Sequence, residues 1–272
     1  IQKFYENNYS FMFTAQKDQV IDKIGGTVTF GGNLMQRKST GLKNSLGTLI
    51  APDWFWMSNG DKGDLSVEQT LNEKKINSLY GTVGLNYDGW VFLDATFRND
   101  WSSSLSKQNR SFFYPSISAS WVFSDMFNKM EKPLPDWFTY GKVRISFAEV
   151  GNDMDPYQLY NSYKIGSEGN TGGVNAGYSS STLYNPDVKS ELIKSWEAGA
   201  EIRFLNNRLG LDVTWYKSNA TRQLLNIPMN SLSGYTAMKV NAGNIENQGV
   251  EIMLNATPVQ TKDFNWDMQL NF

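Results

Sequence analysis

The residues with the most chemistry to offer are charged groups set at even intervals along short segments. They are Asp94 and Arg98, Lys142 and Arg144, Glu197, Glu201 and Arg203, then Asp212 and Glu251. Even spacing places such groups on one face of an extended strand. Lined up with both signs present, they suit a wetted wall along which polar molecules pass. They do not form a familiar catalytic kit, because the 272 residues include no histidine and no cysteine. Serine-hydrolase triads, histidine bases, thiolate nucleophiles, zinc sites built on these residues and disulfides are excluded together. The expectation is a protein that is not an enzyme and carries no cofactor.

Aromatic side chains offer a second chemistry. Trp54-Phe55-Trp56 sits in one long polar stretch, and Tyr157, Tyr160, Tyr163, Tyr178 and Tyr184 sit in another. Such rings stack on sugar rings, grip peptide side chains or pack a loop onto its neighbours. Trp54, Trp56, Tyr160 and Tyr178 are the first candidates for contact with a ligand or partner. Asp61-Lys62-Gly63-Asp64 has the flavour of a calcium loop but lacks the twelve-residue pattern with its closing glutamate, so it reads as a solvated turn and no metal site is expected. Trp90, Trp101, Trp121, Trp137 and Trp215 stand near strand ends, where an interfacial girdle is expected.

The elements that must carry these groups are strands. Apolar and polar residues alternate in residues 9–16, 26–36, 78–87, 90–99, 111–123, 141–150, 195–204, 209–216, 250–256 and 264–272. Val91, Leu93, Phe97, Ile117, Val143, Ile145, Leu211, Val213, Ile252 and Leu254 fall on the face opposite the charged set. That makes about ten strands of roughly 8 to 13 residues, longer than the 5 to 6 usual in soluble sandwiches. Eleven residues tilted by about 40° cover roughly 28 Å, close to a hydrocarbon slab.

Connection lengths point the same way. Asp88-Gly89 and Asn206-Asn207 have the composition of tight hairpin turns, and 17–25, 124–138 and 257–263 are also short. Between them lie the longer polar stretches 37–77, 100–110, 152–194 and 217–244. Short and long alternate throughout, as in outer-membrane barrels with short periplasmic turns and long external loops. A mean hydropathy of -0.45 does not oppose this, since alternating strands average near neutral. No run approaches the roughly 18 apolar residues of a membrane helix. Lys+Arg 25 against Asp+Glu 27 marks neither a nucleic-acid binder nor an acidic tail. The chain opens at Ile1 without a signal-peptide pattern, so a removed leader or an internal piece is expected.

Leu79-Tyr80-Gly81-Thr82-Val83-Gly84-Leu85-Asn86-Tyr87, then Leu93-Asp94-Ala95-Thr96-Phe97-Arg98-Asn99-Asp100, then Phe112-Phe113-Tyr114-Pro115-Ser116-Ile117-Ser118-Ala119-Ser120-Trp121 form an ordered series. This series resembles the SusC/RagA-type TonB-linked outer-membrane proteins of the Bacteroidetes. Asn185-Pro186-Asp187-Val188-Lys189 with Trp196-Glu197-Ala198-Gly199, and Gly243-Asn244-Ile245-Glu246-Asn247-Gln248-Gly249-Val250-Glu251, resemble patterns shared more widely by TonB-dependent receptors. The resemblance covers nearly the whole chain, most tightly from about residue 76 onward. It implies an all-β antiparallel transmembrane barrel, with residues 1–272 forming about ten strands of a 22-stranded, plugged whole. The plug, the TonB box and the remaining strands are expected to lie outside these residues. It further implies import of oligosaccharides or oligopeptides with a SusD-like lipoprotein lid and TonB as energiser. A siderophore or cobalamin receptor is the alternative within the same class, and a passive porin is a more distant one. The two outermost strands are expected to pair with strands outside the chain rather than with each other.

Overall fold

The computed structural model describes residues 1–61, 63, 66–165 and 176–272. Six long strands come first: β1 (Gln2–Ile21), β2 (Ile24–Ser45), β3 (Ser66–Tyr87), β4 (Val91–Ser102), β5 (Ser111–Trp121) and β6 (Phe138–Asn152). A short helix α1 (Phe123–Lys129) lies between β5 and β6. An excursion carries β7 (Tyr163–Ile165), β8 (Ala176–Tyr178) and β9 (Thr182–Leu183). Four long strands complete the chain: β10 (Glu191–Phe204), β11 (Leu209–Pro228), β12 (Ala237–Gln260) and β13 (Asn265–Asn271). The ten long strands pair antiparallel in chain order, β1-β2-β3-β4-β5-β6-β10-β11-β12-β13, while β9 adds in parallel to β12. All ten expected strands are present. β1 and β13 stand at opposite ends of the order, so the sheet is not closed on itself.

The register turns ten alternating segments into two continuous faces. Leu93 pairs with Leu85 and Ala119, Ile117 with Ala95 and Phe147, and Ile145 with Ala119 and Ala198. Val213 then pairs with Ala200 and Ile252, and Leu254 with Leu211 and Leu270. Every residue expected on the apolar face lies in these rows or the rows beside them. Burial elsewhere is sparse: among the described residues the buried large apolar ones are Leu105, Val122, Met154 and Val188. Ile117, Ile145 and Val250 stay 55%, 51% and 55% exposed in the middle of the apolar face. A sheet whose apolar side has no protein against it is stable only where lipid takes the place of a core.

Turns on one rim are tight for local reasons. Asp88 and Gly89 adopt φ 49 and 75, the left-handed pair that a twisted hairpin requires and that Asp-Gly supplies cheaply. Both turns are wider than two-residue hairpins: Asp88, Gly89 and Trp90 separate the paired Tyr87 and Val91, and the Asn206-Asn207 turn is wider still. It runs through Leu205, Asn206 and Asn207, all left-handed at φ 53, 55 and 66, and Leu205 N–H is held by the Trp137 carbonyl at 2.9 Å. Aromatics gather along this rim, with Trp121 against Phe123 at 5.8 Å, Trp137 against Phe204 at 5.7 Å and Tyr87 against Trp90 at 5.2 Å. Trp90, Trp121 and Trp137 thus stand on this rim as expected, whereas Trp101 lies near the far end of β4 and Trp215 lies inside β11.

The opposite rim departs from expectation. Most of 37–77 and 217–244 is strand rather than loop: β2 and β3 stay paired out to Ser45↔Ser66, and β11 and β12 out to Pro228↔Ala237. Each of β2 and β3 has 22 residues. At about 3.4 Å per residue and about 40° of tilt, that is roughly 57 Å of height, about twice a 25 Å apolar band. Two hairpin arms therefore stand well clear of the membrane.

Candidate functional site

The polar face is built from the charged residues at even spacing. Asp94 shares its row with Gly84 and Ser118, and Arg98 shares its row with Tyr80 and Tyr114. Lys142 lies opposite Glu201, Glu201 opposite Asp212, and Thr214 opposite Glu251. Arg144 donates to both carboxylate oxygens of Asp212, at 2.9 and 2.7 Å, and to Thr214 Oγ1 at 2.5 Å. Arg203 pairs with Glu201 at 2.6 Å. Both signs are matched side by side, so the face offers hydrogen bonding without a strong net field.

Above this face the β6–β10 excursion forms a crossbar. Tyr157 Oη accepts the Glu73 N–H of β3 at 3.2 Å, and the next residue, Gln158, accepts from Lys239 of β12 at 2.5 Å. In the sheet, β3 and β12 are six strand steps apart, roughly 29 Å along the surface. One peptide step and the side chains on either side of it span the same gap. The sheet is therefore curved. Lys74, on the polar face by its even spacing from Tyr80 and Gly84, reaches the crossbar, so the polar face is the concave one.

A buried polar knot anchors the crossbar. Lys74 Nζ donates to Asp153 at 2.6 Å and to the Met154 carbonyl at 3.1 Å. Ser104 donates to the same carboxylate at 2.9 Å, and Ser102 binds it as well. The Lys74 and Asp153 side chains are only 15% and 8% exposed. A buried pair needs such extra hydrogen bonds to offset its desolvation. Beside it, Leu105, Met154 and Val188 form a small apolar cluster with Phe112, Leu159 and Leu224 packed on it. The far end of the excursion is tied down by Asn241, which donates to the Lys189 carbonyl and accepts the Lys189 N–H at 2.8 and 2.6 Å.

Of the aromatic candidates, Trp54 and Trp56 stand at the tip between β2 and β3, 58% and 66% exposed. Asn59 holds that tip by donating to the Ala51 and Trp54 carbonyls at 2.8 and 2.7 Å. Tyr160 is 67% exposed on the crossbar. No ring contact joins Trp54, Trp56 and Tyr160 among the described residues. Tyr178 falls in β8, and its side chain lies outside the described residues, as do Lys62 and Asp64 of the calcium-like turn. Asp153, Lys74, Gln158 and Lys239 carried no signal in the sequence, since an isolated charge in a polar stretch looks the same whether it is solvated or paired.

The family model described as TonB dependent receptor-like, beta-barrel, matches residues 2–272. TonB-dependent receptor P26 of Formosa agariphila is 27% identical over 263 residues, covering 94% of this chain and 26% of that protein. TonB-dependent receptor SusC of Bacteroides thetaiotaomicron is 32% identical over 207 residues, covering 71% of this chain and 20% of that protein. Among solved structures, the RagAB peptide transporter superposes with a TM-score of 0.85 at 23% identity, over 99% of this chain and 30% of that one. The chain thus spans about a quarter of the length of the relatives it matches.

Proposed function

The chain belongs to the TonB-dependent receptor-like β-barrel family of outer-membrane proteins, and from that premise we propose that the whole polypeptide imports nutrient oligomers in a TonB-dependent step. In this reading residues 1–272 are one contiguous part of a larger plugged barrel, with plug and TonB-contacting segment elsewhere in the polypeptide. A SusD-like surface lipoprotein acts as the lid, and the cargo is an oligosaccharide or an oligopeptide.

The observation that carries the reading is the pairing of a charge-balanced concave wall with tall external arms bridged by a crossbar. A passive pore needs the wall but not arms that rise about as far beyond the membrane as the band is thick. Capture at an external mouth followed by energised release uses both. The matched charges of the wall hold a polar oligomer weakly and at many points, so it can move on once released. Trp54 and Trp56 at the arm tip and Tyr160 and Tyr178 on the excursion are the proposed contacts with cargo or lid.

The test is uptake in cells of the source organism. Deletion of the full-length gene should abolish growth on one class of oligomer, and a strain lacking TonB should show the same loss. Affinity purification of the tagged transporter should bring down a surface lipoprotein. Uptake that continues without TonB overturns the reading.

A further inference from the structure

Between the β2–β3 arm and the crossbar lies a cleft of about 400 Å³, whose lining includes Arg37, Ser39, Asn72, Lys74, Asp155 and Gln158, together with Glu73, which is paired with Lys38 at 2.9 Å. The floor is a two-by-two array on the concave face: Arg37 pairs across the strands with Lys74, and Ser39 with Asn72. Two cations directly opposite each other repel unless each has its own counter-ion. Both do. Arg37 is bound by Glu6 at 2.9 Å and Lys74 by Asp153 at 2.6 Å.

That pairing narrows what the cleft can hold. With both cations committed, no free positive charge is available for a peptide carboxylate or a sulfate. Among the described residues Pro156 is the one apolar residue type lining the cleft, so a large hydrophobic side chain would meet mainly polar groups there. What remains are the Ser39 hydroxyl, the Asn72 amide and the Asp155 carboxylate, none with a side-chain hydrogen bond among the described residues, together with the free edge of the Gln158 amide. Hydroxyl donors and acceptors satisfy all of them.

Beside the cleft, Tyr157 is 59% exposed and held at φ 62, a left-handed conformation that costs a tyrosine about 1 kcal/mol or more. Its hydroxyl caps the Glu73 N–H, which fixes the ring beside residues 155, 156 and 158. An exposed ring next to convergent amide, carboxylate and hydroxyl groups suits a pyranose, which presents C–H groups on one face and hydroxyls around its edge.

The geometry points to this cleft as a binding subsite for one unit of a neutral saccharide. The inference rests on the import reading and deepens it by choosing the glycan class of cargo.

The experiment uses the full-length transporter in detergent, applied to an array of neutral di- to heptasaccharides beside an array of short peptides. The wild type should retain saccharides. Asn72→Ala combined with Asp155→Asn should weaken retention roughly tenfold or more, about 1.4 kcal/mol. Tyr157→Phe, which keeps the ring but not its tie to Glu73, should weaken binding less than Tyr157→Gly, which removes the ring. Circular dichroism and heat-modifiable gel mobility report whether each variant has folded. Retention of peptides without saccharides, retention of neither, or saccharide binding indifferent to Asn72, Asp155 and Tyr157 overturns the inference. None of these outcomes touches the import reading, which fails instead if uptake proceeds without TonB.

Discussion

Arg144 reaches Asp212 across the full width of an intervening strand, passing over Gly199 to do so. Arg144 pairs with Gly199, and Gly199 pairs with Thr214, so β10 lies between the two partners. A Cβ on Gly199 would stand 2.8 Å from the guanidinium carbon. The glycine is there for close approach, and its absent side chain is the channel through which the ion pair forms.

Gly199→Leu is therefore expected to break the Arg144–Asp212 bridge while leaving the β6–β10–β11 ladder in place. The loss should be about 1–3 kcal/mol, combining overpacking with a partly exposed bidentate pair. Arg144→Ala in the same background should add little, because both changes remove one interaction. Urea unfolding of the full-length protein in lipid checks this; two fully additive losses would show that Gly199 and the bridge are independent.

A second pair of close approaches occurs at Gly31 and Gly32 on β2. A Cβ on Gly31 would meet the Tyr80 ring at 2.5 Å and the Phe11 carbonyl at 2.7 Å, and one on Gly32 would meet the Phe11 ring at 2.7 Å. Rings laid over strand glycines cover backbone that would otherwise be bare. Gly31→Val should destabilise by about 1–3 kcal/mol. Tyr80→Ala in the same background should restore only part, since the backbone contact persists. Full restoration, read from the same unfolding curves, would assign the whole cost to the ring.

The two faces of the barrel wall were legible in the sequence because lipid on one side and water on the other impose a period of two. Above the membrane that contrast vanishes. In residues 37–45 and 66–75 both faces meet water, so the alternation fades although the strands remain fully paired. Residual signal existed in opposite charges that meet across strands, such as Lys38 with Glu73 at 2.9 Å and Arg37 with Glu6 at 2.9 Å. It could not be used without the register, and the register follows from a turn buried in a long polar stretch. The crossbar was invisible for a different reason. Its contacts join residues about 80 apart, and nothing local in Asp153 or Gln158 announces a partner on β3 or β12.

The anchor of the crossbar should behave as a local unit rather than as part of the barrel. Asp153→Ala leaves Lys74 buried without its counter-ion and strips Ser102 and Ser104 of their acceptor. The local cost is expected at about 3–5 kcal/mol, enough to free the excursion. Limited proteolysis of the full-length protein should then cut between 153 and 190, while the barrel keeps its heat-modifiable mobility on gels. Lys74→Met with Asp153→Leu should restore resistance, because no charge is left unpaired. Equal resistance in wild type and Asp153→Ala would show that the small apolar cluster at Met154 and Val188 holds the excursion by itself.

On the opposite rim, α1 is tied to the Asp88-Gly89 turn by Lys129, which donates to the Asp88 carboxylate at 2.7 Å and also to its carbonyl. Hydrogen bonding from Lys129, with a weaker one from Lys23 at 3.4 Å, holds the Asp88 carboxyl below the usual carboxylate range. A carboxyl depressed in the folded state binds its proton more readily when the contact is open. Its contribution is thus fully present above the unfolded value of about 3.9 and is lost as pH falls through the lower folded value. Hydrogen exchange in residues 123–129 of the full-length protein should be insensitive to pH from neutrality to about 5, after correction for intrinsic exchange, and should rise under stronger acid. Asp88→Asn should show the raised exchange already at neutral pH and no further acid step. Lys129→Met should do the same. If the acid step survives in both variants, another carboxyl on this rim is responsible and the Asp88–Lys129 contact does not hold the helix.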